Sequence, residues 1–421
     1  MKKLFKLIIT TLIVIFIIYI IILYIKTSST TTFNITSIPI EKEELVINNY
    51  YIYGTHLNIE GNISLNYDNI KSISLSLTSD NSLEVPVIVN DDTITLAEHL
   101  NNGLYLDGLP IGNYYLLLKV IDNNNSTKYY KLKNNTKNDN STYYPISVIN
   151  NTKIFINSNN AYNTIALNVT KNNDTNIYDI TLDAGHGGRD TGACYNKKCE
   201  STYTYELAKK TEKLLKDKGL KIKLTREDQL SDDEVLAKYN ESGRAVIPKE
   251  SNSKYLFSFH LNSNVSKEFY GLEVLAPTNI DYTLATLLVD NIKKETNIRI
   301  SNKNAFKIKE GIYTRTFNES EILLSQQEAI EENANAYNIT KSTEYYYMIR
   351  EPGCSITNAY VDGRNEKDGK NPYYASNIGV ESYIIELGYI YNSSDMEIID
   401  NKLDEYSIAI TNSILQYLNI K

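Results

Sequence analysis

Between Ile180 and Tyr389 the chain makes four short apolar runs, and each leads to, or encloses, a residue able to do chemistry. Ile180-Thr181-Leu182 leads to Asp183 and His186, and Leu220 to Thr225 ends at Arg226. Tyr255 to Phe259 ends at His260, and Ser382 to Tyr389 encloses Glu386. Helical spacing fills the gaps. Tyr203, Leu207, Leu214 and Leu215 share one face after Glu200, and Gly219 stands where a C′ glycine ends a helix. Ser231 can cap a further helix to about Glu241, and Leu403, Tyr406, Ile410, Ile414 and Tyr417 stripe a closing one. Strands buried on both faces read as near-continuous apolar runs. Their alternation with helices predicts an α/β domain with a twisted, mostly parallel sheet flanked by helices.

In open sheets of this kind the C-terminal strand ends converge on a crevice. His186 and His260 follow strands at that edge, and Glu200 opens the helix between them. His186 sits in the glycine-rich turn Gly185-His186-Gly187-Gly188-Arg189-Asp190. A strand that delivers a histidine to its end, among glycines that let other groups approach, suits a metal ligand. A loop histidine bonded to the backbone is the other reading, and the turn alone does not separate the two. Glu386 is also open: a carboxylate in an apolar run is either paired with an arginine or turned towards a metal.

The first half of the chain reads differently. Ile63 to Tyr67, Ile73 to Leu77 and Ile94 to Leu96 alternate apolar and polar, and Gly112-Asn113 precedes the strand Tyr114 to Val120. Lys153 to Ile156 and Ile165 to Val169 continue the series. Short strands at this spacing predict an all-β, immunoglobulin-like sandwich over residues 45–172, without a Cys-Trp-Cys signature. His56 and His99 read as structural. Residues 27–44 are expected to be a polar linker. Ahead of it Leu7 to Ile25 is an uncharged run of 19 residues, preceded by Lys2, Lys3 and Lys6 and closed by Lys26. At about 1.5 Å per residue it matches a hydrocarbon core of about 30 Å. It is expected to anchor the chain in the cell membrane over residues 1–26, single-pass, with the rest extracytoplasmic. A cleaved signal peptide is the alternative, although the run lacks a small-residue cleavage site and a lipid-accepting cysteine.

Composition narrows the function. A formal charge of -8 gives no basic field for nucleic acid. The three cysteines, Cys194, Cys199 and Cys354, include no CxxC pair, so a cysteine zinc knuckle is unsupported. With four histidines in the chain, a histidine-based site has few candidates.

Taken together, Leu182-Asp183-Ala184-Gly185-His186-Gly187-Gly188, with Asp190 and Gly192-Ala193, resembles the opening motif of the zinc-dependent N-acetylmuramoyl-L-alanine amidases of bacterial cell walls, the amidase-3 type. Glu200 with Tyr205 and Ala208, Leu224-Thr225-Arg226, Ser258-Phe259-His260-Leu261-Asn262, Gly271-Leu272-Glu273-Val274 and Glu386-Leu387-Gly388 to Asn392 match its later motifs in order. The resemblance covers the C-terminal domain, 176–421. It implies that His186, Glu200 and His260 hold one Zn²⁺ with a position left for water. It implies that Glu386 takes the water's proton and passes it to the leaving amine, that Arg244 orients an acidic ligand or binds substrate, and that Asn262 contacts substrate. The bond cut would join N-acetylmuramic acid to L-alanine of peptidoglycan. An activator protein is a further partner the resemblance admits without identifying.

The chain also departs from a minimal domain. An insertion over about 279–377 carries a helix expected from Glu319 to about Ala336, here read as a gate, and a loop from Glu351-Pro352-Gly353-Cys354 to Asn371-Pro372. Cys194 and Cys199 flank four residues beside Glu200. They are either a disulfide clip that fixes Glu200 or two free thiols, with a zinc role for Cys199 as a third reading. Two other functions stay open: a non-catalytic peptidoglycan-binding or regulatory protein, and a zinc peptidase acting on stem peptides.

Overall fold

The computed structural model describes residues 38 to 420, apart from 39, 63–64, 66, 79–82, 91–92, 135–140, 144–150, 158–160, 174–175, 228–242, 332–338 and 358–377. The C-terminal domain is built on a seven-stranded sheet. Its order is Ile222–Leu224, Ile180–Ala184, Tyr255–Asn262, Glu381–Tyr389, Glu273–Leu275, Ile312–Tyr313 and Lys307–Lys309. The first four strands run parallel, and Glu273–Leu275 lies antiparallel to Glu381–Tyr389. This is the α/β architecture expected from the apolar runs.

Side chains alternate across each strand, and the two faces differ sharply. Ile180, Leu182, Phe257, Phe259, Ile385 and Leu387 enter the larger core with Leu207, Leu288, Ile399 and Ile410. Three helices supply that core: Glu200–Asp217, Thr283–Thr296 and Ser393–Tyr417. Each buried Leu, Ile or Phe stabilises by roughly 1.5–3 kcal/mol, so this face anchors the sheet. Leu256, Ile384 and Leu275 face the other way, towards Met348 and Ile349 of helix Tyr347–Thr357. By the same alternation Asp183, Ser258, His260, Glu386 and Glu273 emerge on this second face. The polar interruptions of the apolar runs thus gather on one side.

Two details of the insertion differ from expectation or lie beyond it. Glu351, Pro352 and Gly353 belong to helix Tyr347–Thr357, not to a loop. Proline removes one helical hydrogen bond, but Met348 and Ile349 are buried under the sheet and Val380 N–H donates to the Pro352 carbonyl at 3.0 Å. Tertiary packing holds the helix across the proline. The long insertion helix spans Glu319–Glu331, and the rest of its expected length falls outside the described residues, as does the expected helix from Ser231 to Glu241.

The N-terminal half corrects the expected architecture in two respects. Among the described residues no helix is long and apolar enough to cross a membrane, and the run Leu7 to Ile25 lies outside them. The longest described helix, Ser393–Tyr417, carries Glu397, Asp400, Lys402, Asp404 and Glu405 outside its buried stripe, which is the pattern of a surface helix. The β-rich part is also not a free-standing immunoglobulin-like sandwich. Its strands join into one branched, 13-stranded sheet. Gly112–Asp122 pairs with Ile70–Thr78 along one edge and with Thr127–Asn134 and Ala166–Lys171 along the other. A long first strand, Ile40–Tyr53, runs parallel to Thr127–Asn134, and its end pairs with Ile378–Gly379 of the C-terminal domain. A parallel pair and a strand taken from another domain do not fit an antiparallel two-sheet sandwich. Neither was readable from period-2 patterning, which reports burial but not which strand lies alongside.

The two halves share a buried polar seam. Asn101 donates to the Asp281 carbonyl at 2.9 Å and to Glu381 Oε1 at 3.0 Å, and its own Oδ1 accepts from Asp281 N–H at 2.7 Å. Tyr383 also donates to Glu381 Oε1. The Thr55 and Tyr255 hydroxyls are 3.0 Å apart. Glu381 is fully buried, and its Oε2 has no hydrogen-bond partner. Burial, unrelieved by a cation, pushes its carboxyl up to about 7. His56, whose Nδ1 lies 3.3 Å from the Thr55 hydroxyl, is held at about 4 by burial.

Candidate metal centre

Strand Ile180–Ala184 delivers His186, whose own backbone is left-handed at φ +62°. Asp190 Oδ2 lies 2.8 Å from His186 Nδ1. That contact turns Nε2 towards Glu200, 3.1 Å from Oε1. Glu200 is the first residue of its helix, where the helix dipole favours a carboxylate. Its Oε2 accepts from Ala193 N–H at 3.1 Å and its Oε1 from Leu261 N–H at 2.9 Å. His260, near the end of Tyr255–Asn262, places Nδ1 2.9 Å from the same Oε1. The donor atoms of His186, Glu200 and His260 all lie within 4.8 Å of one another. The two imidazoles are 23% and 16% exposed and the carboxylate 4%, so the group opens to solvent on the histidine side.

Two glycines make this approach possible. A Cβ on Gly185 would sit 2.5 Å from His260 Cε1 and 2.4 Å from the Phe259 carbonyl oxygen. A Cβ on Gly192, at φ +64°, would sit 2.7 Å from both Glu200 Oε2 and His186 Cδ2. The glycine turn is therefore the space in which the donor set assembles.

Glu386 is the register partner of His260 on one side and of Glu273 on the other. Glu273 is fully buried and satisfied: Ser301 and Tyr389 donate to its Oε1 at 2.8 and 2.6 Å, and Lys303 to its Oε2 at 2.9 Å. Glu386 is partly exposed as a residue, yet its Oε2 is covered and without a hydrogen-bond partner. Burial, followed by the charges of Glu200 and Glu273, pushes its carboxyl well above the ordinary range, against a smaller opposing effect of Lys303. Burial alone would raise Glu200 as well, but its contacts with His186 and His260 outweigh burial and hold it ionised to low pH. One carboxylate is thus kept as an anion and its neighbour is ready to hold a proton. Two imidazoles and one ionised carboxylate fit a catalytic zinc or a similar divalent ion with an open position.

Arg244, read from sequence as orienting an acidic ligand or binding substrate, lies beside this group and faces inward. Its Nε and Nη2 donate to Asp183 Oδ1 and Oδ2 at 2.8 and 2.5 Å, and Nη2 is 3.3 Å from His260 Nε2. Asn262 lies at the end of the His260 strand, opposite Tyr389. Sequence reasoning assigned no role to Asp183 or Asp190. Asp183 also accepts from Thr225 at 2.7 Å and from Ser258, so it ties three elements together behind His260. Burial would raise its carboxyl, but Arg244 outweighs burial and holds it far below the usual range. The available signal was a carboxylate inside the first apolar run. The insertion helix Glu319–Glu331 bonds to Arg315 and Lys341 through Glu321 and Glu319.

A family model described as N-acetylmuramoyl-L-alanine amidase, Amidase_3, matches residues 180–416, more than half of the chain. The chain belongs to the amidase-3 family. The amidase is also similar to solved structures. The catalytic domain of CwlV, an N-acetylmuramoyl-L-alanine amidase from Bacillus (Paenibacillus) polymyxa var. colistinus, is 18% identical over 58% of this chain and 100% of that one, with a TM-score of 0.38. Cwp6 from Clostridium difficile is 20% identical over 57% of this chain and 29% of its own, with a TM-score of 0.38. The amidase AmiC2 of Nostoc punctiforme is 18% identical over 58% and 99%, with a TM-score of 0.37. No curated protein sequence matches the chain.

Proposed function

We propose that this amidase hydrolyses the amide bond between the lactyl group of N-acetylmuramic acid and the L-alanine of peptidoglycan, with one Zn²⁺ held by His186, Glu200 and His260. Zinc bound there would bring the pKa of its water towards neutrality and polarise the scissile carbonyl. Glu386 acts as the general base: its carboxylate takes the proton of the attacking water and returns it to the departing alanine nitrogen. Asp190 fixes the ring of His186, and the Asp183–Arg244 pair backs that of His260. The observation that carries the reading is Glu386 Oε2, a covered carboxylate oxygen without a partner on the strand beside His260.

The bonded Cys194–Cys199 pair supports a working place outside the reducing cytoplasm. The assembled donor set speaks against a purely binding or regulatory role. A peptidase acting on stem peptides would use the same metal, so the products decide. The test is digestion of purified peptidoglycan by the zinc-loaded chain and by Glu386→Gln. New L-alanine amino groups without new reducing ends are expected from the wild type, and about 10²–10⁴-fold fewer from the variant. Release of D-alanine, or no release by the zinc-loaded wild type, overturns the reading.

A further inference from the structure

The stretch before Glu200 is a hairpin with a feature that the reaction does not use. Cys194–Tyr195 and Lys198–Cys199 form a two-stranded ribbon in which Cys194 and Cys199 are direct cross-strand partners, joined by a disulfide. Its two-residue turn, Asn196-Lys197, has φ of +50° and +65°, the backbone of the tight turns that favour hairpins. The ribbon is docked at its tip. Lys198 pairs with Asp400, Lys267 donates to the Tyr195 hydroxyl at 3.2 Å, and the Tyr195 and Tyr391 rings are 5.3 Å apart.

Its open end is the metal-facing carboxylate itself. Glu200 N–H donates to the Ala193 carbonyl at 2.9 Å, and Ala193 N–H donates to Glu200 Oε2 at 3.1 Å. Ser201 N–H donates to the Thr191 carbonyl at 3.1 Å. The residue on each side of the disulfide therefore closes a reciprocal pair of hydrogen bonds around the Glu200 side chain. Glu200 heads its helix without a capping side chain from Cys199, so the ribbon is what determines where that helix starts.

We propose that the Cys194–Cys199 disulfide is a positioning clip: by locking the ribbon, it holds Ala193 N–H against Glu200 Oε2 and so keeps Oε1 turned towards His186 and His260. The clip rests on the metal reading given above. It acts through preorganisation more than through global stability, because the loop it closes is short and removes less entropy from the unfolded chain than a long loop would. Groups that orient a metal ligand without touching the metal commonly change affinity by about 10–100-fold.

The test measures Zn²⁺ affinity by chelator competition on the full chain, its thermal midpoint in the metal-free state, and both again in Cys194→Ser/Cys199→Ser. A second arm reduces the wild type with a phosphine. The phosphine gives two electrons to the S–S bond and becomes the phosphine oxide with the oxygen of a water, whose two protons leave two thiols. The clip predicts a loss of at least about tenfold in Zn²⁺ affinity in both arms, a metal-free midpoint that moves by only a few degrees, and recovery on reoxidation of the wild type. Unchanged affinity in the serine variant overturns it. Tighter binding after reduction, absent from the serine variant, also overturns it, because the thiols would then be ligands. Zinc binding by neither protein would instead remove the metal reading on which the clip depends.

Discussion

His260 and Glu386 are register partners on the neighbouring parallel strands Tyr255–Asn262 and Glu381–Tyr389. A histidine of the candidate donor set and a carboxylate without a partner on its Oε2 thus share one face, at a spacing set by main-chain hydrogen bonds. Loops are the more mobile parts of a protein, whereas these two side chains grow from two largely buried strands of the sheet. The geometry of the centre is consequently tied to the stability of the sheet, and several outcomes follow from that tie.

Asp190→Ala removes the partner of His186 Nδ1 and frees the ring to rotate. Zn²⁺ affinity is expected to fall about 10–100-fold while the metal-free thermal midpoint stays close to wild type, since Asp190 is exposed. Chelator competition together with differential scanning calorimetry reads both. An unchanged affinity would show that the imidazole is oriented by its backbone alone.

Arg244→Met leaves Asp183, fully buried, without its cation. Breaking a buried pair by removing one partner costs about 3–5 kcal/mol. Urea unfolding of the metal-free protein is expected to show a loss of that size. Asp183→Asn/Arg244→Met, which removes the stranded charge as well, should be less destabilised than the single variant.

Gly192→Ala places a methyl 2.7 Å from Glu200 Oε2 and His186 Cδ2, on a backbone at φ +64°. The carboxylate or the imidazole has to give way. Metal content after dialysis against equimolar Zn²⁺ is expected to drop by more than half, and a variant that still binds one equivalent tightly would contradict the packing argument.

Glu381 makes stability depend on pH with a definite sign. Its carboxyl stands at about 7 in the folded protein against an ordinary 4.5, so the folded state binds the proton more tightly than the unfolded chain. This contribution is complete below about pH 4.5 and is lost as pH rises to about 7, a change on the order of 3 kcal/mol. Asp107, also held at about 7 by burial and close to Lys254 and Asp179, adds a slope of the same sign. Glu381→Gln keeps an acceptor for Asn101 and Tyr383 but does not titrate. Thermal midpoints between about pH 5 and pH 7 should fall less steeply with pH in the variant than in the wild type; parallel curves would dismiss the seam as the source.

Removal of the metal gives a last outcome. A ligand that binds the folded state alone stabilises it by about 2.7 kcal/mol at a hundredfold excess over its dissociation constant. The zinc-loaded chain is therefore expected to melt several degrees above the chelated one, and His186→Ala should abolish the difference.

Much of this was legible in the chain itself. Continuous apolar runs ending at His186 and His260, with Glu386 enclosed in another, follow from strands buried on both faces, and that burial is written in residue type. The donor triad was implied by the resemblance of the ordered motifs, with His186 and His260 each following a strand whose end converges with the other in a parallel sheet. Proximity between remote segments was not legible. Hydropathy reports whether a side chain is buried but not against what. Hence Asp183 reads as a misplaced charge until Arg244 is beside it, and Glu381 as ordinary until Asn101 of the other half meets it. The same limit made the N-terminal strands look like a separate sandwich, when Ile52 and Tyr53 pair with Ile378 and Gly379 across the chain. Sequence alone determined which residues could hold a metal. The tertiary structure decided which partners orient them, because hydrogen bonds between distant segments form only once the hydrophobic faces have brought those segments together.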